Sequence, residues 1–78
     1  MVKAYILITT EGRDPRAIGS DLTAISEVEN VNLIYGEYDL VAYVKTESLI
    51  QLREVTLDKI SKIHGVINTT NLIVADEE

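Results

Sequence analysis

The chain has 78 residues, enough for one small domain. It has no cysteine, which excludes disulfides and thiolate metal sites, and its net charge is −6 with only seven basic residues. Lys3, Arg13, Arg16, Lys45, Arg53, Lys59 and Lys62 are scattered along it. The basic stripe that nucleic-acid binding needs is therefore missing, and an anionic membrane surface would repel the chain.

Val2 to Thr9 reads as a strand apolar on both faces, because Tyr5, Ile6, Leu7 and Ile8 are consecutive. Thr10 to Arg13 is a loop containing Gly12. Asp14-Pro15 starts a helix, with aspartate as N-cap and proline in the first turn. Ile18, Leu22, Ile25 and Val28 then follow at helical spacing, which carries the expected helix to Glu29-Asn30. Val31 to Tyr35 and Leu40 to Val44 read as two strands joined by a short turn, hence antiparallel neighbours. Thr46 or Ser48 caps a second helix, whose expected buried stripe is Leu49, Leu52, Thr56, Ile60 and Ile63, broadened by Ile50 and Leu57. His64-Gly65 is its exit. Val66 to Ala75 is the last strand, and Asp76-Glu77-Glu78 an acidic tail.

The order β-α-β-β-α-β, with right-handed crossovers, predicts an α+β fold of the ferredoxin-like kind: a four-stranded antiparallel sheet with both helices on one face. The opposite face receives either the Leu7 or the Ile8 set. Both are apolar, so a second subunit packing sheet to sheet is expected to cover it. An apolar share of 46% in so short a chain points to an oligomer as well. The chain has no signal peptide and no apolar run of about 20 residues, so a cytoplasmic protein is expected.

Two stretches carry more polar chemistry than their elements need. The hairpin corner Tyr35-Gly36-Glu37-Tyr38-Asp39 combines a permissive glycine, two phenols and two carboxylates. Gly36 allows close approach of a ligand, Asp39 can accept from a ligand ammonium, and the tyrosines can line a pocket. The plain alternative is a turn in which Asp39 bonds turn amides and the tyrosines pack at a subunit contact. The second stretch is Asn68-Thr69-Thr70-Asn71 in the last strand, where alternation pairs Thr69 with Asn71 on one face. Polar residues of a half-solvated strand would look the same. His64 is the only histidine, and no carboxylate is fixed beside it by spacing. No nucleophile elbow or phosphate-cradling loop is present, and no cofactor is implied.

The corner Gly36-x-Tyr38-Asp39, followed by Leu40-Val41, resembles the G-x-Y-D-hydrophobic motif of the Lrp/AsnC (feast/famine) regulators. Ile60-x-x-Ile63-x-Gly65-Val66-x-x-Thr69 is similar to that family's ending, with Asn71 standing where a second threonine is common. The resemblance implies a ligand-binding and oligomerisation (RAM) domain spanning residues 1–78. Met1 leads straight into the first strand, so a stand-alone form without the helix-turn-helix is expected. It further implies a homodimer assembling into rings of four or five dimers, no enzymatic activity and no direct DNA contact. Small effectors, amino acids above all, would bind at Tyr35, Gly36, Glu37, Tyr38, Asp39, Thr69 and Asn71. A full-length Lrp/AsnC-type regulator is the implied protein partner. Two other readings stand beside this one: a cofactor-free enzyme of the dimeric α+β barrel type, and a purely structural assembly subunit.

Overall fold

In the computed structural model, which describes residues 1–76, the chain runs β1 (Val2–Thr10), α1 (Pro15–Thr23), β2 (Val28–Leu33), β3 (Leu40–Thr46), α2 (Leu49–Glu54), a π-helical turn (Val55–Ile60) and β4 (Val66–Ile73). The sheet order is β2-β3-β1-β4, antiparallel throughout. This is the ferredoxin-like arrangement. Of the acidic tail, Glu77 and Glu78 lie outside the described residues. Among the described residues no helix is long and apolar enough to cross a membrane.

The strand alternation sorts the two faces. Ala4, Ile6, Ile8, Leu40, Ala42 and Val44 turn toward the helices and are fully buried with Ile18, Leu22, Leu52, Val55 and Ile60. Tyr5 and Leu7 therefore point to the helix-free face, opposite Tyr43 and Val41 on one side and Leu72 and Thr70 on the other. The Tyr5 and Tyr43 rings lie 4.9 Å apart there, with the Lys45 ammonium 5.9 Å from the Tyr43 ring centre. Asn30 and Asn32 of β2 border the patch.

The first helix is shorter than its apolar spacing suggests. Asp14 caps it, accepting the Arg16 N–H at 2.9 Å, but it ends at Thr23 rather than at Glu29-Asn30. Ile25 N–H then donates to Leu22 O and Val28 N–H to Ile25 O, two tight turns that swing the chain back into the sheet. Val28 is buried as the first residue of β2, opposite Val44. An inward-facing valine satisfies a helical stripe and a strand equally, so spacing alone could not separate them.

The second helix departs more. Ser48 is its cap, its Oγ accepting from Gln51 N–H at 3.1 Å, while Gln51 Oε1 accepts from Glu47 N–H. Thr46 instead ends β3, its hydroxyl donating to Ser48 O. After Glu54 the helix widens, and Ser61 N–H reaches back five residues to Thr56 O at 2.9 Å. The inward face becomes Leu52, Val55, Thr56 and Ile60. Leu49, Ile50 and Leu57, expected inside, are 58%, 74% and 49% exposed. Thr56 is buried with its hydroxyl satisfied: it donates to Leu52 O and accepts from Asn71 Nδ2.

Lys59 Nζ donates to Glu27 Oε1 at 2.9 Å, tying the π-helical turn to the α1–β2 turn. The Lys59 ammonium first, then Glu27's own N–H and the Ser26 hydroxyl, hold the Glu27 carboxyl below the usual carboxylate range, against the opposing effect of burial. A carboxyl depressed in the folded state contributes stability above its unfolded value of 4.5, and this is lost as pH falls through the folded value. Glu27→Gln is expected to cost up to about 1 kcal/mol at pH 7. The wild-type advantage should shrink toward zero in urea melts run well below pH 4.5.

Candidate functional site

β2 and β3 close at the corner. Ile34 N–H donates to Asp39 O at 3.0 Å, and Gly36 has φ +127°, a conformation that a side chain would strain. No atom lies within 4 Å of the position a Gly36 Cβ would take, so the backbone is open to approach. The Tyr35 ring stands fully in solvent, Glu37 is exposed, and Tyr38 is half-buried.

Asp39 is placed by the central strand, not by the turn. Its N–H donates to Ile8 O, and its Oδ2 accepts from both Thr10 N–H at 2.7 Å and the Thr10 hydroxyl at 3.1 Å. The carboxylate thus ends β1 where that strand outruns β3. Its other oxygen, Oδ1, has no hydrogen-bond partner among the described residues. A hollow of about 280 Å³ adjoins it, lined by Pro15, Leu33, Ile34, Tyr35 and Asp39. Its chemistry is an apolar wall with one carboxylate at the side, suited to a small molecule with an apolar body and a cationic group.

Thr69 and Asn71 lie elsewhere. They pair with Ile8 and Ile6 and so share the helix-facing side of β4. Asn71 lines a second hollow of about 370 Å³ between α2 and the edge of β4, with Leu49, Leu52, Arg53, Thr56, Leu57 and Ile73. One protomer therefore brings Tyr35 and Asp39 together but holds Asn71 at a separate groove, and Thr69 lines neither hollow. His64 is exposed, its carbonyl accepting from Arg13 Nη1. Among the described residues no group of three or more metal-ligating side chains converges.

Sequence reasoning missed three participants. By its sequence Thr10 belongs to a loop, and nothing in a threonine before a glycine loop announces an aspartate partner 29 residues away. Pro15 shows in the sequence only as a helix starter, and Arg53 only as a scattered charge.

The Lrp/AsnC ligand binding domain model matches residues 3–78. A curated relative, an uncharacterised HTH-type transcriptional regulator of Pyrococcus furiosus, is 30% identical over 73 residues, covering 94% of this chain and 49% of the relative. The chain thus spans about half the length of the curated relatives it matches. The structure of E. coli AsnC is 26% identical with a TM-score of 0.91, covering 97% of this chain and 52% of AsnC. The transcriptional regulator NMB0573 of Neisseria meningitidis, solved as an L-Met complex, is 18% identical with a TM-score of 0.89, a likeness of fold alone; 97% of this chain and 51% of that one are covered.

Proposed function

The chain belongs to the Lrp/AsnC family by its ligand-binding domain, and on that premise we propose that it is a sensor of small molecules, with amino acids the class the corner hollow fits best. The family is regulatory rather than enzymatic, which sets aside the α+β barrel enzyme reading. The observation that carries the proposal is Asp39. Its carboxylate is anchored through one oxygen, leaving the other free beside an apolar hollow. An ammonium would meet Oδ1, an apolar side chain would lie against Pro15, Leu33 and Ile34, and the open backbone at Gly36 would admit the carboxylate. That a regulator of the same fold was solved with L-Met supports the ligand class.

Sensing needs an output. In the proposed reading two protomers pack their helix-free faces together, dimers join further, and ligand binding free energy becomes assembly free energy. Mixed assembly with a full-length Lrp/AsnC-type regulator, in the cytoplasm, would pass that change to DNA without this chain touching it.

The test is a thermal-shift screen against the twenty amino acids, followed by calorimetry on two variants. At about a hundred times Kd, binding adds about 2.7 kcal/mol, which moves the midpoint of so small a domain by about 10 °C or more. Asp39→Asn keeps an oxygen for Thr10 but loses the charge, so the fold should hold while affinity falls by at least about tenfold, the worth of one charge-assisted bond. Asp39→Ala also strands the Thr10 N–H and should cost about 1–3 kcal/mol of stability. No shift with any amino acid, or unchanged affinity in Asp39→Asn, would favour the structural-subunit reading, for which the Thr10–Asp39 anchor is the physical support.

A further inference from the structure

The groove between α2 and β4 differs from the corner in charge. No carboxylate lines it, and one cation does. Arg53 is exposed and has no ion-pair partner among the described residues, whereas Arg13, Arg16, Lys45 and Lys59 are paired with carboxylates of this chain. Leu49, Leu57 and Ile73, each about half exposed, form the apolar wall. The hollow of about 370 Å³ falls within the range of small-molecule sites, about 300–1,000 Å³.

The remaining polar group of the groove is held in one orientation. Thr56 Oγ1 lies 3.0 Å from Leu52 O, a carbonyl that can only accept, so the hydroxyl proton lies between them. Toward Asn71 the same oxygen can then only accept, and the atom that meets it at 3.2 Å is Nδ2. A turned amide would set two acceptors against each other at a threonine only 5% exposed. Asn71 Oδ1 is left without a partner among the described residues, at the groove that Asn71 lines.

We propose that this groove binds small aliphatic α-hydroxy acids, and that Thr56 is the positioning residue that makes it prefer them to the matching α-keto acids. The carboxylate pairs with the Arg53 guanidinium, the hydroxyl donates to Asn71 Oδ1, and the aliphatic chain lies against Leu49, Leu57 and Ile73. An α-keto acid would bring a carbonyl against Oδ1, two acceptors with no proton between them. A site built to accept from a hydroxyl rejects the analogue that lacks it. A free ammonium finds no carboxylate here, which separates the groove from the corner, where Asp39 supplies one. The two sites are independent, and this one does not rest on the sensor reading.

Calorimetric titration of the full chain with α-hydroxyisocaproate and α-ketoisocaproate decides this. The wild type should bind the hydroxy acid at least about tenfold more tightly than the keto acid. Arg53→Gln, an exposed change, should weaken both by at least about tenfold. Thr56→Val leaves the Asn71 amide free to turn, so the ratio should fall toward one, and Thr56→Ser should restore it. The NMR signals of the Asn71 side-chain amide should lose their hydrogen-bonded shift in Thr56→Val and regain it in Thr56→Ser. Asn71→Val removes the acceptor at an exposed strand position and should abolish the preference whatever Thr56→Val does to the core. A wild type that binds neither acid, or both equally, overturns the proposal, as does undiminished binding in Arg53→Gln. A preference that survives Thr56→Val ends the role of Thr56, and one that survives Asn71→Val ends that of the groove. Asp39→Asn should leave both affinities unchanged, and a loss there would move the acid to the corner. An absent amino-acid shift would sink the sensor reading without touching these outcomes.

Discussion

Gly65→Ala is expected to lose about 2–5 kcal/mol of stability, the sum of a strained backbone and an overpacked contact. Gly65 sits at φ +98°, between the helix exit and β4. A Cβ there would lie 2.8 Å from Ile18 Cδ1 and 2.9 Å from Arg13 Cβ. Neither neighbour is free to retreat. Ile18 is fully buried in the core, and Arg13 is held by Asp21 at 2.7 Å and by the His64 carbonyl. The turn is pinned from a third side as Glu11 N–H donates to Gly65 O at 2.9 Å. Small domains have little reserve, roughly 0.05–0.15 kcal/mol per residue, so this one change can consume most of it. Gly36→Ala is the internal control. It shares the positive φ but meets no atom within 4 Å, so only the backbone cost of about 1–2 kcal/mol should appear. Paired urea melts read the difference, and equal losses in the two variants would show that the Ile18–Arg13 contact costs nothing.

Leu7→Asp should dissociate the proposed dimer by about a thousandfold or more, because about 4 kcal/mol is a modest charge for burying an unpaired carboxylate. Leu7 lies at the middle of the helix-free face, between Val41 and Thr70, one layer from the Tyr5–Tyr43 pair and Leu72. These side chains are half-exposed in the protomer, a contiguous apolar patch with asparagines and lysines at its margin, as a face that meets another protein has. Two-fold symmetry would place both new carboxylates in one interface, so the penalty applies twice. The monomer should still fold, since Leu7 points away from the helices. Sedimentation equilibrium gives the dissociation constant, and an undiminished dimer would move the interface elsewhere.

Most of the architecture was legible because its signals were local and redundant. Asp14-Pro15 and Ser48 marked helix starts by the hydrogen bonds those side chains accept, whereas the exit expected at His64-Gly65 lies beyond Ile60, where the helical segment ends. The consecutive apolar residues of β1 announced a sheet with apolar side chains on both faces, only one of which the helices cover. What failed was decided by tertiary contact. Val28 fits a helix stripe, but the Lys45 N–H bonding Glu27 O drew it into the sheet. Leu57 turns outward within the widened turn Val55–Ile60, which no residue type encodes. At the corner, the residue types flagged the right place but not its wiring. By sequence position Asp39 faces turn amides or a ligand, whereas its first partner is Thr10. Whether Thr69 and Asn71 join the corner depends on a second copy, which the pattern of one chain does not contain.

The widened turn at Val55–Ile60 has a consequence for chain length. A π turn holds one residue more than the α-helical turn it replaces, so the helical segment formed by α2 and this turn carries a spare residue between two well-buried anchors, Leu52 and Ile60. Removing one residue from the exposed Leu57–Lys59 stretch would let the helix close with regular four-residue hydrogen bonds while Leu52 and Ile60 keep their places. The same deletion in β4 would reverse every later side chain, because a strand has no slack. Of the two elements that frame the groove, the helix can gain or lose a residue without disturbing the core, and the strand cannot. Variation in groove shape among chains of this fold should therefore be written as helix length rather than as strand length.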